Sequence, residues 1–210
     1  MIQIHGTPPS PFARKVVTVL EEKGVPYETV PTMPFPKSPE LLAKHPLGLI
    51  PILQDGDLML PDSSVMCAYL ERKHPEPALL PADPADAARA LWFEEWSDTA
   101  LARAVGGIFF QRFVRKRIFQ QEPDEAAVKK ALEEDLPPLL DYLEENVAGR
   151  DFLVGERLSL ADVSIACQLV NVKLGGEELD AKRWPEVARW YAGITGRPSL
   201  KTVLAGEGAA

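Results

Sequence analysis

Cysteine is scarce in this 210-residue chain: there are two, Cys67 and Cys167, far apart. That spacing makes neither a disulfide framework nor a metal-binding cluster, and a reducing compartment is expected. Both sit in apolar, helix-like patterns and read as buried small hydrophobes. Long apolar runs are missing too. Nothing approaches the roughly 18 continuous apolar residues of a membrane span. Positive charge is in deficit, with 23 Lys and Arg against 31 Asp and Glu and a net charge of -8. This balance argues against nucleic acid or an anionic membrane as the main partner. No basic segment or apolar run precedes the strand-like alternation of Met1-Ile2-Gln3-Ile4-His5, so no signal peptide is expected and the location expected is cytoplasmic. There are no internal repeats and no low-complexity tract beyond a small Gly/Ala tail. With 46% hydrophobic residues, the chain suits one or two globular domains with a real core.

The first half reads as alternating strands and helices. Ile2 to His5 forms a strand, and Gly6-Thr7-Pro8-Pro9-Ser10-Pro11 a turn. Ser10 is placed as a helix N-cap with Pro11 at the first helical position. The helix runs Phe12 to Lys23, with Val16, Val17, Val19 and Leu20 as its apolar stripe and Gly24 as its terminator. Tyr27 to Val30 is a second strand, and Pro39 to Lys44 a short helix ended before Pro46. Ile50-Pro51-Ile52-Leu53, Asp55-Gly56 and Leu58-Met59-Leu60 then read as strand, tight turn and strand. Asp62-Ser63-Ser64 caps a helix starting near Val65. The order is β-α-β-α-β-β-α.

That order, with Ser10-Pro11-Phe12 at the first turn, Leu47-Gly48-Leu49-Ile50-Pro51 before the hairpin and Asp62-Ser63 after it, resembles the thioredoxin-like half of the glutathione transferase superfamily. The resemblance implies glutathione as co-substrate and no metal. It implies a cis bond before Pro51 that turns the backbone of Ile50 toward the peptide backbone of glutathione, and an Asp62-Ser63 step that holds the γ-glutamyl group at a helix N-terminus, where an anion is favoured. Ser10 is the implied catalytic residue, with Thr7 the alternative, and Phe12 and Lys37 complete the implied glutathione contacts. The chemistry fits a hydroxyl. Glutathione must react as a thiolate, a free thiol has a pKa of about 8.5, and a donor aimed at sulfur favours the charged form. A Cys at this turn would permit mixed-disulfide chemistry. Ser10 disfavours it, and conjugation is expected instead. Leu49 is a departure, because the family often has a Lys there for the glycyl carboxylate. Lys37, Lys44 and His45 are the candidates to replace it.

Lys73-His74-Pro75-Glu76-Pro77-Ala78-Leu79-Leu80-Pro81 reads as a Pro-rich boundary, and resembles the family's inter-domain linker. Asp83-Pro84 opens a long helix through Leu91, Trp92, Trp96 and Leu101 to about Phe119, with a bend expected at Gly106-Gly107. Arg112, Arg115, Lys116 and Arg117 form a basic run, read as a favourable helix end rather than an anion-binding wall. Pro137-Pro138 should kink the next helix. Ser159-Leu160-Ala161-Asp162 is a capping box, as the family carries in its helical domain, and Asp162 is assigned to folding, not chemistry. Trp184 to Tyr191 and Arg197-Pro198-Ser199-Leu200 supply the last helices.

The fold expected is therefore an α/β thioredoxin-like domain over 1–77, a linker over 78–85, an all-α domain over 86–203 and a tail over 204–210. The function implied is a cytoplasmic, homodimeric glutathione transferase of detoxification, with glutathione on the first domain and a small apolar electrophile as its second substrate. Two other readings stay open: a glutathione-dependent isomerase or dehalogenase on the same site, and a non-enzymatic regulatory or interaction protein of this fold. Fold alone does not choose among them.

Overall fold

The computed structural model describes residues 1–207, in two compact units. The first comprises Met1–Leu80 together with residues 197–207, and the second Pro81–Gly196.

In the first unit the elements are β1 (Ile2–Gly6), α1 (Pro11–Lys23), β2 (Tyr27–Pro31), α2 (Pro39–Lys44), β3 (Ile52–Asp55), β4 (Leu58–Leu60) and α3 (Ser63–Lys73). The sheet order is β2-β1-β3-β4. β1 is parallel to β2 and antiparallel to β3, and β3 is antiparallel to β4. Alternation along β1 buries Ile2 and Ile4, which join Val16, Val19, Leu20, Ile52, Leu53, Met66 and Leu70 in the core. Register sets what lies at each end. His5 pairs with Ile52, Leu53 with Leu60, and Gly6 with Pro31. The exits of β1, β2 and β4 and the entry to β3 therefore share one end of the sheet.

The ends of α1 are built as its sequence dictates. The Ser10 side chain accepts from the Ala13 N–H, Pro11 occupies the first turn, and Gly24 takes a left-handed φ of 61°. The hairpin turn is Gly56-Asp57, with Asp55 still paired to Leu58. The segment beyond α3 is held by a buried cation. Lys23 Nζ pairs with Glu71 at 2.7 Å and donates to the carbonyls of His74 and Pro77. The other Glu71 oxygen accepts from the N–H groups of Leu79 and Leu80.

The second unit is helical: α4 (Pro84–Trp96), α5 (Ala102–Phe109), α6 (Glu125–Lys130), α7 (Pro137–Val147), α8 (Leu160–Leu174) and α9 (Pro185–Thr195). α8 is its axis, packed against α4, α5 and α9 and buried around its whole circumference from Leu160 to Val172. π-helical turns at Ser97–Leu101, Phe110–Arg115 and Ala131–Asp135 interrupt the regular helices. Gly106 and Gly107, where the sequence leads one to expect a bend, both lie inside α5, flanked by two of these turns. Gly107 serves packing. A Cβ there would lie 3.0 Å from the Ala131 side chain, so the missing atom lets α5 approach the 131–135 turn. Pro137 opens α7 one residue after the 131–135 turn; Leu136 between them keeps right-handed helical angles, and the helical path is interrupted at Pro137-Pro138.

α10 (Pro198–Glu207) packs on α1 and so groups with the sheet, whereas the sequence places 197–203 with the helical domain. An ion pair invisible to local patterning joins them: Arg197 donates through Nε and Nη2 to the two Glu22 carboxylate oxygens, and the Ser199 hydroxyl donates to Oε1.

Candidate functional site

Four loops meet at the end of the sheet defined above. The first carries Ser10. Its backbone is extended, its N–H donates to the Thr7 carbonyl at 3.0 Å, and its Oγ accepts from the Ala13 N–H at 3.3 Å. Among the described residues nothing accepts the Ser10 hydroxyl hydrogen, so the group is fixed as an acceptor at the N-terminus of α1 and still has a proton to donate. Thr7 contributes a carbonyl to this turn. Phe12 lies half-buried in the first turn of α1.

The second loop carries Ile50-Pro51, joined by a cis peptide bond. Pro51 is buried and Ile50 half-buried. Among the described residues no backbone hydrogen bond takes up the N–H or C=O of Ile50. The third loop begins α3: Asp62 is its N-cap, Oδ1 accepting from the Val65 N–H at 2.9 Å, and Ser63 is its first residue, buried. The fourth, after β2, brings in Lys37, whose Nζ donates to the Leu47 carbonyl at 2.7 Å. Its stem crosses Gly48, where a Cβ would fall 2.7 Å from Lys37 Cδ, and where φ is 62°. Glycine at 48 meets both demands.

The other two candidates for the glycyl contact are engaged elsewhere. Lys44 Nζ lies 3.5 Å from Nδ1 of His5 on β1. His45 is buried, with Nδ1 accepting from the Leu47 N–H at 3.1 Å. Leu49 is exposed.

This geometry can be set against known proteins. Residues 4–78 match the family described as glutathione S-transferase, N-terminal domain, and residues 109–207 the corresponding C-terminal domain. The chain belongs to the glutathione S-transferase family. It is 32% identical over 207 residues to a probable glutathione S-transferase GSTF2 of Oryza sativa subsp. japonica, covering 96% of this chain and 95% of that protein. It is 29% identical to FtsZ-localized protein A of Caulobacter vibrioides, covering 96% and 90%. A solved glutathione S-transferase-I bound with lactoylglutathione is 31% identical, covers 97% of this chain and 98% of its own, and has a TM-score of 0.86.

Within this glutathione S-transferase fold several charged groups are structural. Arg112 pairs with Glu125 and Glu177, and the Arg117 guanidinium lies 4.7 Å over the ring of Phe113, which stacks on Phe109. Asp162 is fully buried. It accepts from the N–H groups of Leu153 and Ser159, from the Ser159 hydroxyl and from Trp190 Nε1. Burial pushes its carboxyl up, against the pull of those four bonds. A groove of about 940 Å³ between α1, β2 and α10, lined by Ile4, Val17, Leu20 and Val203, includes Thr7 but neither Ser10, Ile50 nor Asp62. Among the described residues no group of three or more His, Cys, Asp and Glu is placed to hold a metal, and no helix is long and apolar enough to cross a membrane.

Sequence reasoning missed two contributors. His45 turns inward to cap a backbone N–H, and Ser38 caps α2 by accepting from the Leu41 N–H. Ser38 precedes Pro39, so its Ser-Pro step was the available clue.

Proposed function

We propose that this chain is a glutathione transferase that binds glutathione at the described end of the sheet and activates it as a thiolate for attack on a small apolar electrophile. The observation that carries this is the state of Ser10: a hydroxyl locked as N-cap of α1, with its proton unspent. Such a donor, at the positive end of a helix, favours the charged form of a sulfur placed against it. Ser10 is preferred to Thr7 on this ground. Ile50, turned by the bond to Pro51, offers its N–H and C=O to the cysteinyl backbone. The N-terminus of α3, with Asp62 and Ser63, takes the γ-glutamyl group. Lys37 has two further N–H donors beside the one on Leu47 and is the cation for the glycyl end. Phe12 supplies an apolar wall to the first loop. The reading extends to a cytoplasmic homodimer acting in detoxification.

Calorimetric titration with reduced glutathione tests it. Saturable binding, with thiolate absorbance that disappears in Ser10→Ala, is expected. No heat up to about ten times the millimolar affinities at which weak ligands bind would favour the second reading, a non-enzymatic interaction protein. That reading draws on exposed Leu49 and on the relative named FtsZ-localized protein A. Glutathione-dependent isomerisation or dehalogenation would use the same thiolate and differ only in the second substrate.

A further inference from the structure

The turn that delivers Ile50 is held by a histidine. His45 ends α2, its own N–H bonded to the Leu41 carbonyl, and precedes Pro46. Its ring is only 5% exposed, and its Nδ1 accepts from the Leu47 N–H at 3.1 Å. The His45 carbonyl accepts from the Gly48 N–H at 2.8 Å. On the other side of Leu47, Lys37 donates to the carbonyl. Both polar groups of Leu47 are therefore taken by side chains, and Gly48 is tied back to the helix end. Two residues further on comes Ile50.

A ring nitrogen that accepts a hydrogen bond carries no proton. The bond to Leu47 places an unprotonated Nδ1 of His45 against that N–H. We propose that His45 is a positioning residue for the peptide-binding turn at Ile50, holding it through the Leu47 N–H. The inference rests on the glutathione-binding reading above.

The test uses S-methylglutathione, which keeps the peptide backbone and removes the thiol. His45→Asn keeps an acceptor near the Nδ1 position and should bind it like the parent. His45→Leu removes the acceptor and should bind it about tenfold more weakly, the worth of one backbone hydrogen bond made by a ligand-presenting turn. A His45→Leu variant that binds like the parent, or a His45→Asn variant that binds as weakly as His45→Leu, overturns the proposal. Protection of the Leu47 amide against hydrogen exchange gives a second reading that needs no ligand. It should drop in His45→Leu and persist in His45→Asn. If S-methylglutathione fails to bind while Leu47 protection follows this pattern, the glutathione reading fails and the positioning of the turn stands. If protection is unchanged in His45→Leu, the positioning claim fails whatever binds.

Discussion

Ser10 has two jobs that one substitution separates poorly. Ser10→Ala removes the hydroxyl donor and also the cap of α1, and loss of a cap costs about 1 kcal/mol of stability. Ser10→Asn keeps a capping oxygen while changing the donor. It should retain near-parental melting behaviour yet lose thiolate stabilisation, so thermal unfolding beside activity resolves the two. Asp162 shows the opposite case, a carboxylate that looks catalytic and is structural. Asp162→Ala leaves the N–H groups of Leu153 and Ser159 and the Trp190 indole without their acceptor inside the helical unit. Each unpaired buried group costs about 1–3 kcal/mol, so the variant should unfold at markedly lower denaturant concentration or fail to fold. A variant with parental stability would show that these bonds contribute nothing net. Of the individual residues, those with a local signature were legible. Ser10 before Pro11, Asp62 before an apolar run and Ser159 three before Asp162 all cap helices as their spacing implies. The inward turn of His45 was not, because the N–H it serves is set by the path of the chain around Pro46 and Gly48.

Helices and strands were legible where periodicity or punctuation marks them. The element order of the first unit matches the β-α-β-α-β-β-α reading, and its glycine marks the hairpin. The π-helical turns were not, since a single added residue per turn leaves no compositional mark. The buried clamp on the chain beyond α3 was equally hidden, because Lys23 and Glu71 belong to different helices far apart in sequence. Lys23 has a fully buried side chain and meets one carboxylate and two carbonyls. Lys23→Met should destabilise the first unit by about 3–5 kcal/mol, the penalty for stripping a buried charge of its partner. Lys23→Met with Glu71→Gln should recover part of that loss. A chemical-denaturation cycle over the four proteins measures it, and a single substitution without effect would remove the clamp from the account.

The chain returns on itself: its last helix leaves the helical unit and packs on α1 through Glu22. Burial would raise the Glu22 carboxyl, but the hydrogen bonds from Arg197 and Ser199 and the Arg197 charge outweigh it and hold the group below the usual carboxylate value. For an acid with a depressed folded-state value, the stabilisation is complete above the unfolded-state pKa, about 4.3 for Glu. It is lost as pH falls through the folded value. Glu22→Gln should therefore cost about 1–2 kcal/mol near neutrality, and its stability should converge on the parent's as the pH drops below about 4. An equal deficit at both ends of that range would mean the charge is not what binds α10. Sequence patterning put this helix last in the chain and so last in space, since no local rule reports a pairing across 175 positions.

The central claim is that Ser10 lowers the pKa of a bound glutathione thiol, and titrating thiolate absorbance of the glutathione complex against pH measures it directly. The account predicts an apparent pKa clearly below the roughly 8.5 of a free thiol in the parent, and a return toward that value in Ser10→Ala with glutathione still bound. A parent complex that titrates like free glutathione, or a Ser10→Ala complex that keeps the depressed value, would contradict it.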